Sequence, residues 1–372
     1  MALPRKQLQI LTPARWAWRQ LRRYWHSSWW SKTVTCGVIA AALCTSGMYG
    51  IAVWYQHTQR NKPLALGVTF IPGYATYLGL DAHQTYQAIL GDLHVKHLRL
   101  VSYWSDVEPA KGQYDFSELD YEMGQAAAHG AKVSLAIGLR QPRWPECHPP
   151  SWVDTTKPAS NWEPALNAYM TAVIQRYQHN PALESYQLEN EYYLNAFGEC
   201  HNFDRGRLSH ELALVHRLDP SRQVIMSRSN NYAGFSLRAP LPDVVGISLY
   251  RHVWSTPIHR YLTYPFPSWY YAFLAGAEQL LTGKPSLIHE LQTEPWPPDG
   301  QGIPTTSLAE QNKTFDAAKL AATVRYGKQT GIRSIDLWGA EYWYYRAQTL
   351  HDPSVWHTAE QIFTQANTTN AQ

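Results

Sequence analysis

Two short apolar runs in this chain end in carboxylates. Tyr186-Gln187-Leu188 leads into Glu189-Asn190-Glu191, and Leu287-Ile288-His289 leads into Glu290, with Glu294 four residues further on. An acid where an apolar strand ends is costly to bury and points to chemistry when a second acid stands at a matching place. If the two strand ends face one another across a pocket, their carboxylates can approach to about 5 Å, the separation used for double displacement at an acetal carbon. One carboxylate attacks that carbon. The other protonates the departing oxygen and later activates water. Two carboxyls this close do not both ionise readily, so one keeps its proton near neutral pH and the pair titrates jointly. Taken singly, Glu191 or Glu290 could be an ordinary acid capping the next helix. Together they are the expected pair, and each has a rival. Glu189 shares a strand face with Glu191 by the period of two. Glu294 shares one with Glu290 if the strand persists, although Pro295 argues that it has ended.

The elements that would carry these acids repeat along the chain. Apolar strand candidates fall at residues 64–71, 97–104, 132–138, 185–191, 223–228, 244–250, 286–290 and 334–339. Between them lie helical patterns with recognisable ends. Asp81 is placed to cap His83–Leu93. Ser117 with Asp120 precedes Leu119–His129, which Gly130 ends. Asn161 precedes Trp162–Gln178, and Thr314–Gln329 stops before Gly331. Only the fifth unit is irregular, since Asn230–Pro242 holds little helix. Continuous apolar strands separated by helices indicate a parallel sheet covered by helices. Eight such units over residues 64–366 predict a (β/α)8 TIM barrel. A doubly wound open sheet is the alternative, but Thr69-Phe70-Ile71-Pro72-Gly73-Tyr74 lacks the glycine-rich phosphate turn that fold uses after its first strand. In a barrel, chemistry sits at the C-terminal ends of the strands, and the fourth and seventh strands face each other across the mouth.

A resemblance now becomes explicit. Asn190-Glu191 after an apolar strand, followed about a hundred residues later by a strand-end Glu, resembles glycoside hydrolase clan A. The run Arg99…Trp104…Glu108-Pro109…Gly112, Tyr114-Asp115-Phe116 and Leu119-Asp120 looks like the second-strand region of family 5 and family 42 members. The resemblance covers about residues 64–350. It implies Glu191 as the acid/base, with Asn190 holding the sugar 2-hydroxyl, and Glu290 as the nucleophile. Arg99 would sit near the nucleophile and help keep it ionised, Tyr250 would donate a hydrogen bond to it, and Trp338 would form the sugar platform. The chain departs from the pattern where Tyr192 replaces the usual Pro after the strand-four Glu, and at the third-strand end, Gly138–His148, which matches no family pattern. Trp144, Trp152, Trp254, Trp296, Trp338 and Trp343 all fall at or after strand ends, where flat rings suit the C–H faces of pyranoses, and Trp144 and Trp296 join Trp338 as candidate sugar contacts.

Ahead of the barrel, Val34–Trp54 holds 21 residues without a charge. As a helix this spans about 30 Å, the thickness of a hydrocarbon core. Trp25, Trp29 and Trp30 before it and Trp54 and Tyr55 at its end are placed as interface anchors. Residues 1–32 carry seven basic side chains and no acid, against Arg60 and Lys62 just after the span, which puts the N-terminus in the cytoplasm. The expected organisation is a basic cytoplasmic segment (1–32), a single transmembrane signal anchor (33–55), a tether (56–63) and an extracytoplasmic barrel. A cleaved signal peptide is the alternative, though its apolar region is usually shorter, about 7–15 residues.

The rest narrows the partners. The net charge of +3 over 372 residues hides an acidic body behind the basic arm, so the folded part is no nucleic-acid reader. Cys147 and Cys200 follow the third and fourth strands, and neighbouring loops on one barrel face predict a disulfide between them. No C-x-x-C pair, H-E-x-x-H or phosphate-binding glycine loop occurs, so neither a metal nor another cofactor is expected. The expected function is a membrane-anchored retaining glycoside hydrolase acting on a β-linked polysaccharide or oligosaccharide. A carbohydrate-binding barrel without turnover, or a transglycosylase, remains open.

Overall fold

The structure, a computed structural model, describes residues 15–20, 22–26, 28–192, 194, 198–200, 203–229, 235 and 237–371. A long helix α1 (Trp29–Gln59) leads into β1 (Ala65–Thr69). There follow α2 (Pro72–Tyr77), α3 (Ala82–Gly91), β2 (His97–Val101), α4 (Trp104–Val107), α5 (Ser117–Ala128), β3 (Lys132–Ile137), α6 (Glu163–Tyr177), β4 (Leu183–Leu188), α7 (Arg205–Leu218), β5 (Gln223–Ser229) and β6 (Val244–Leu249). A hairpin of β7 (His252–Ser255) and β8 (Arg260–Thr263) precedes α8 (Ser268–Thr282), β9 (Ser286–Gln292), α9 (Leu308–Thr314), α10 (Ala317–Gln329), β10 (Ser334–Trp338), α11 (Ala340–Gln348) and α12 (Ser354–Ala371). The strands β1-β2-β3-β4-β5-β6-β9-β10 close into a parallel barrel in that order. All eight expected strands are present, and the fold is a TIM barrel. The barrel strands are buried on both faces, which is why they read as unbroken apolar runs rather than alternating ones.

Helix ends follow local chemistry. The Asp81 side chain accepts from the Gln84 amide and starts α3. Ser117 is the first residue of α5 rather than its cap; Asp115 accepts its amide and hydroxyl instead, at 2.9 and 2.6 Å. The expected single helix from Thr314 to Gln329 is two. Phe315 is extended and buried in the core, and Asp316 caps a new helix by accepting from Lys319 N. α6 begins at Glu163, after a short turn at Ala159–Asn161. Part of the irregular connection Asn230–Pro242 lies outside the described residues.

The motif between β2 and α5 is a structural staple. Glu108 accepts from Trp104 Nε1 at 2.8 Å and from Gly112 N at 2.7 Å, and its own carbonyl accepts from Trp152 Nε1 at 3.1 Å. Trp104 is fully buried and packs on the Tyr169 and Trp152 rings. One acid thus folds the loop that carries the β2 side chains to the mouth.

Among the described residues α1 is the one helix long and apolar enough to cross a membrane. It is longer than the charge-free run, and it does not end in a free tether. Ala52, Tyr55 and Gln59 are buried and Met48, Ile51 and Gln56 half-buried, a stripe at helical spacing laid on α8. Gly276 of α8 permits the contact, since a Cβ there would lie 2.9 Å from Tyr55 Cβ. Tyr49 packs edge-on to Trp269 at 5.7 Å, and Gln56 Nε2 donates to the Gln329 carbonyl at 2.8 Å. Gln56–Gln59, expected in a tether, are therefore part of a docked helix.

Because Trp104 Nε1 and Gly112 N would lose their acceptor, Glu108→Ala should destabilise the barrel by about 1–3 kcal/mol. Urea unfolding of the detergent-solubilised chain followed by Trp fluorescence measures this, and an unchanged midpoint would refute the staple.

Candidate active site

The floor of the barrel mouth is built around one buried cation. Arg99 on β2 is fully buried, and its guanidinium is shared by two other strands, β4 and β9. Nε donates to Gln187 Oε1 at 2.6 Å, Nη2 to Asn190 Oδ1 at 2.7 Å, and Nη1 to Glu290 Oε1 at 2.7 Å and the His289 carbonyl at 3.2 Å. The second oxygen of Glu290 accepts from Tyr250 OH at 2.7 Å. Both Glu290 oxygens thus face donors. On β9 the register shifts by one residue against both neighbours, so that Ile288 pairs with Ile247 but Glu290 with Ser248. This bulge sets the direction of Glu290, while His289 turns to Asp336 at 2.7 Å.

The end of β4 is strained. Glu189 and Glu191 have φ of +52° and +41°, left-handed conformations that cost a non-glycine residue about 1–3 kcal/mol each. The turn breaks the period of two, and the two acids go to different places. Glu189 accepts from Leu139 N at 2.6 Å and from Arg207 at 3.2 and 3.3 Å, and it is tied to Arg207 and Glu211 away from the cavity. Gly138, at φ +100°, makes room, because a Cβ there would sit 2.5 Å from Glu189 Oε1. Glu191 instead lines the same cavity as Glu290. Its backbone amide is held by Ser227 Oγ at 2.9 Å. The same hydroxyl donates to Asn190 Oδ1 at 2.9 Å, and Gln187 Nε2 does so too at 2.9 Å.

A third acid, Glu146, stands in the cavity and was not singled out from the sequence. It follows the cis Trp144–Pro145 bond, accepts from Asn190 Nδ2 at 2.9 Å and lies 3.6 Å from Arg140 Nε. Its neighbour Cys147 is bonded to Cys200, with Cα atoms 5.4 Å apart, so the expected disulfide pins the β3 loop to the β4 loop beside the acids. Nothing in a lone Glu within an unmatched loop marks it; a signal lay only in the pairing of Cys147 with Cys200, which draws that loop to the β4 end.

The electrostatics follow from burial. The Glu191 carboxyl is pushed up to about 8, first by desolvation and then by the charges of Glu290 and Glu146. Glu146 is raised to about 7, again by desolvation, with Arg140 opposing and Glu290 reinforcing. The Tyr250 hydroxyl is pushed well above its usual value by burial and by Glu290, so it remains a donor. The cavity, about 330 Å3, therefore holds an acceptor carboxylate against proton-bearing acids.

Of the tryptophans, Trp144, Trp296 and Trp338 line this cavity. Trp338 donates to Glu294 Oε1 at 2.7 Å, and the Arg143 guanidinium lies 4.5 Å above its ring. Glu294, the rival of Glu290, also accepts from Tyr74 at 2.9 Å and Arg143 at 3.2 Å, so its oxygens are held by the cavity wall. Trp152 and Trp343 are spent on carbonyls of Glu108 and Thr293, and Trp254 on Asp299 and Tyr261. A second hollow of about 650 Å3, bounded by Tyr74, Tyr77, Tyr103 and His148, continues from the first across Arg143, Trp144 and Trp296. Tyr192, where Pro was expected, is buried and donates to the Asp204 carbonyl, so it supports the α7 loop. Among the described residues no group of three or more His, Cys, Asp or Glu is arranged to hold a metal.

Residues 81–163 match the Glyco_hydro_42 family, described as beta-galactosidase. That segment carries Arg99, the Glu108 staple and Glu146. One segment of the chain is thus similar to a glycoside hydrolase family, and the barrel shares its fold with solved glycoside hydrolases. Its fold is similar to the beta-galactosidase of the psychrophilic Marinomonas ef1, 13% identical over 82% of this chain and 60% of that one, with a TM-score of 0.55. It is also similar to GH5_18 from Streptomyces cattleya in complex with GlcNAc, 13% identical over 74% and 70%, with a TM-score of 0.53. The exo-beta-1,4-mannosidase Op5Man5 from Opitutaceae bacterium strain TAV5 is 14% identical over 74% of this chain with a TM-score of 0.50, and the chain spans about half of that protein, 51%. At these identities the likeness is one of fold. No curated protein matches the sequence.

A carboxyl whose folded value is raised binds its proton more tightly in the folded state than in the unfolded one. Its stabilising contribution is complete below about 4.5 and is lost as pH rises through the folded values of about 7 and 8. Stability should therefore fall between pH 5 and 9. Glu191→Gln should remove part of this fall, melting higher than the wild type at pH 8.5 by an amount on the order of 1–3 kcal/mol while matching it near pH 5. Thermal melts at the two pH values measure it; equal wild-type melting at both would overturn the assignment of raised values.

Proposed function

We propose that this protein is a retaining β-glycoside hydrolase, held at a membrane by α1, with its barrel outside the cytoplasm. The observation that carries the reading is the asymmetry of the cavity: Glu290 receives hydrogen bonds from Arg99 and Tyr250, while Glu191 in the same cavity holds its proton up to about 8. Glu290 attacks the anomeric carbon, the glycosidic C–O bond breaks, and Glu191 gives its proton to the departing oxygen. Glu191, now a carboxylate, then takes a proton from water. The hydroxide formed attacks the anomeric carbon and releases Glu290. Asn190, whose oxygen is fixed by Arg99, Gln187 and Ser227 and whose amide nitrogen donates to Glu146, braces the floor beneath the acids. Trp338, Trp144 and Trp296 supply faces for the sugar rings, and the second hollow offers room for further residues of a glycan. The apolar span and the N-terminal excess of basic residues support the membrane setting and the orientation.

The direct test is trapping. A 2-deoxy-2-fluoro glycoside with a good leaving group should add one sugar mass to the intact protein, located by peptide mapping at Glu290. Glu290→Gln should show no adduct and lose at least about 10^4-fold in kcat with its fold intact. An adduct on Glu294, or turnover at the wild-type rate in Glu290→Gln, would reject the assignment. A full adduct released faster by sugar acceptors than by water would favour transglycosylation.

The role of Glu146 is separable. Its charge helps to raise Glu191, so Glu146→Gln should move the alkaline limb of the kcat/KM profile to lower pH, by about one unit. An unmoved limb would show that Glu146 does not act on the acid.

A further inference from the structure

We propose that the mouth of the barrel faces the bilayer into which α1 inserts, and that the natural substrate is a glycan carried on a lipid of that same membrane. This rests on the glycosidase and anchor readings above and adds a direction to them.

The direction comes from the docking of α1. The helix runs without a break from Trp29 to Gln59. Its contacts with the barrel proceed in register with α8: Tyr49 meets Trp269 near the start of α8, and Ile51 and Tyr55 meet Gly276 at its middle. Further on, Gln56 meets Gln329 and Gly331, just before β10 begins. In this fold every helix that follows a strand starts at the C-terminal face and runs back to the N-terminal face. α1 runs the same way as α8, so its C-terminus lies at the strand starts, and everything before Tyr49 projects past the face where Glu191 and Glu290 open. That projecting part is the apolar one. From Trp29 to Gly47 almost every side chain is exposed, and 19 residues make about 28 Å of helix, the thickness of a hydrocarbon core, with Lys32 within a turn of its start, where a long cation reaches the headgroups. The span is thus displaced toward the N-terminus from the charge-free run, because the last dozen residues of α1 are occupied by α8. Placing Trp29–Gly47 in lipid sets the near membrane surface at about the level of Trp269, where the loops of the mouth stand.

Those loops carry an independent sign. Outside residues 15–59, the exposed large apolar side chains among the described residues are Tyr77 at the end of α2, Tyr114, Trp144, Leu237 and, in the β7–β8 hairpin, Ile258, all in connections that leave the C-terminal end of a barrel strand, plus Leu280 and Leu281 at the tail of α8. Leu237 and Ile258, 54% and 50% exposed, do not line the cavity. Exposed Arg238 and Arg260 stand beside them in sequence, a pairing of apolar tips and long cations that suits the headgroup layer of an anionic membrane. A barrel seated mouth-down would meet a lipid-borne glycan at the high local concentration of a shared surface, while a free polymer would have to enter from the side.

The experiment uses the full chain in mixed phosphatidylcholine–phosphatidylglycerol vesicles. With Cys36 and Cys44 replaced by Ala, single cysteines are introduced by Ile258→Cys or Leu237→Cys at the mouth and by Lys96→Cys or Gln223→Cys at the opposite face, labelled with an environment-sensitive fluorophore, and quenched with spin-labelled lipid. Labels at the mouth should be quenched and those at the opposite face should not. In parallel, matched β-linked glycosides are presented as dialkylglycerol conjugates in the vesicles and as water-soluble propyl glycosides. The lipid-borne form should be cut at least about tenfold faster at equal bulk concentration. If the protein fails to float with vesicles, the anchor reading fails and this inference with it. If it floats but the opposite face is quenched, or no position is, the anchor stands and the orientation is overturned. Equal cleavage of both forms overturns the lipid-borne substrate, and no cleavage of either removes the glycosidase reading on which it rests.

Discussion

The structure depends on a guanidinium with no access to water. A bare buried cation is prohibitively expensive, and Arg99 is tolerated because each edge of its fork meets an oxygen: Gln187 and Asn190 from the β4 side, Glu290 and the His289 carbonyl from β9. Removing one partner would leave a charge uncompensated in the barrel interior, so the cation and its acceptors hold together as a unit. The arrangement also does chemical work. It fixes Glu290 as an acceptor and turns Asn190 so that its oxygen points down and its amide nitrogen toward Glu146. The neighbouring acids receive no such direct cation from Arg99, and their burial beside a charged Glu290 makes them hold protons instead. One buried ion therefore divides three chemically similar carboxyls into one acceptor and two proton carriers.

Strain accumulates around that unit and is restrained by its surroundings. Two glutamates adopt left-handed backbone at the β4 end, and β9 carries a bulge just where its acid emerges. Such features persist only when neighbouring contacts over-determine them. Here the Glu189–Arg207–Glu211 cluster, the Ser227 hydroxyl and the Cys147–Cys200 bond hold the β4 end from three sides. The second hollow, walled by aromatic side chains on the loops after β1, β2, β3 and β9, broadens the cleft.

The long N-terminal helix is part of the same solid body. The stripe from Met48 to Gln59 is used as packing surface against α8, with glycine at the point of closest approach. The direction of a single helix is thereby passed to the mouth of the barrel.

Much of this was legible in the amino-acid sequence. Unbroken apolar runs separated by capped helices determined the eight-stranded barrel, since strands buried on both faces must read that way. A 21-residue charge-free run determined a helix of membrane length, and the acids at the ends of two strands, Glu191 and Glu290, come to line one cavity. The disulfide followed from the adjacency of two loops on one face. The sequence favoured Glu191 but put Glu189 on the same strand face, because the period-two rule assumes extended backbone and the chain turns left-handed there. Nor did it show Glu146, whose place depends on a loop folding back onto Asn190. It also left α1 as a span plus a tether, because whether an apolar face meets lipid or a neighbouring helix is invisible in composition. Patterns along the chain report burial and period; which carboxyl faces which cation, and which face of a helix is already occupied, are relations between distant segments that exist only once the barrel has closed.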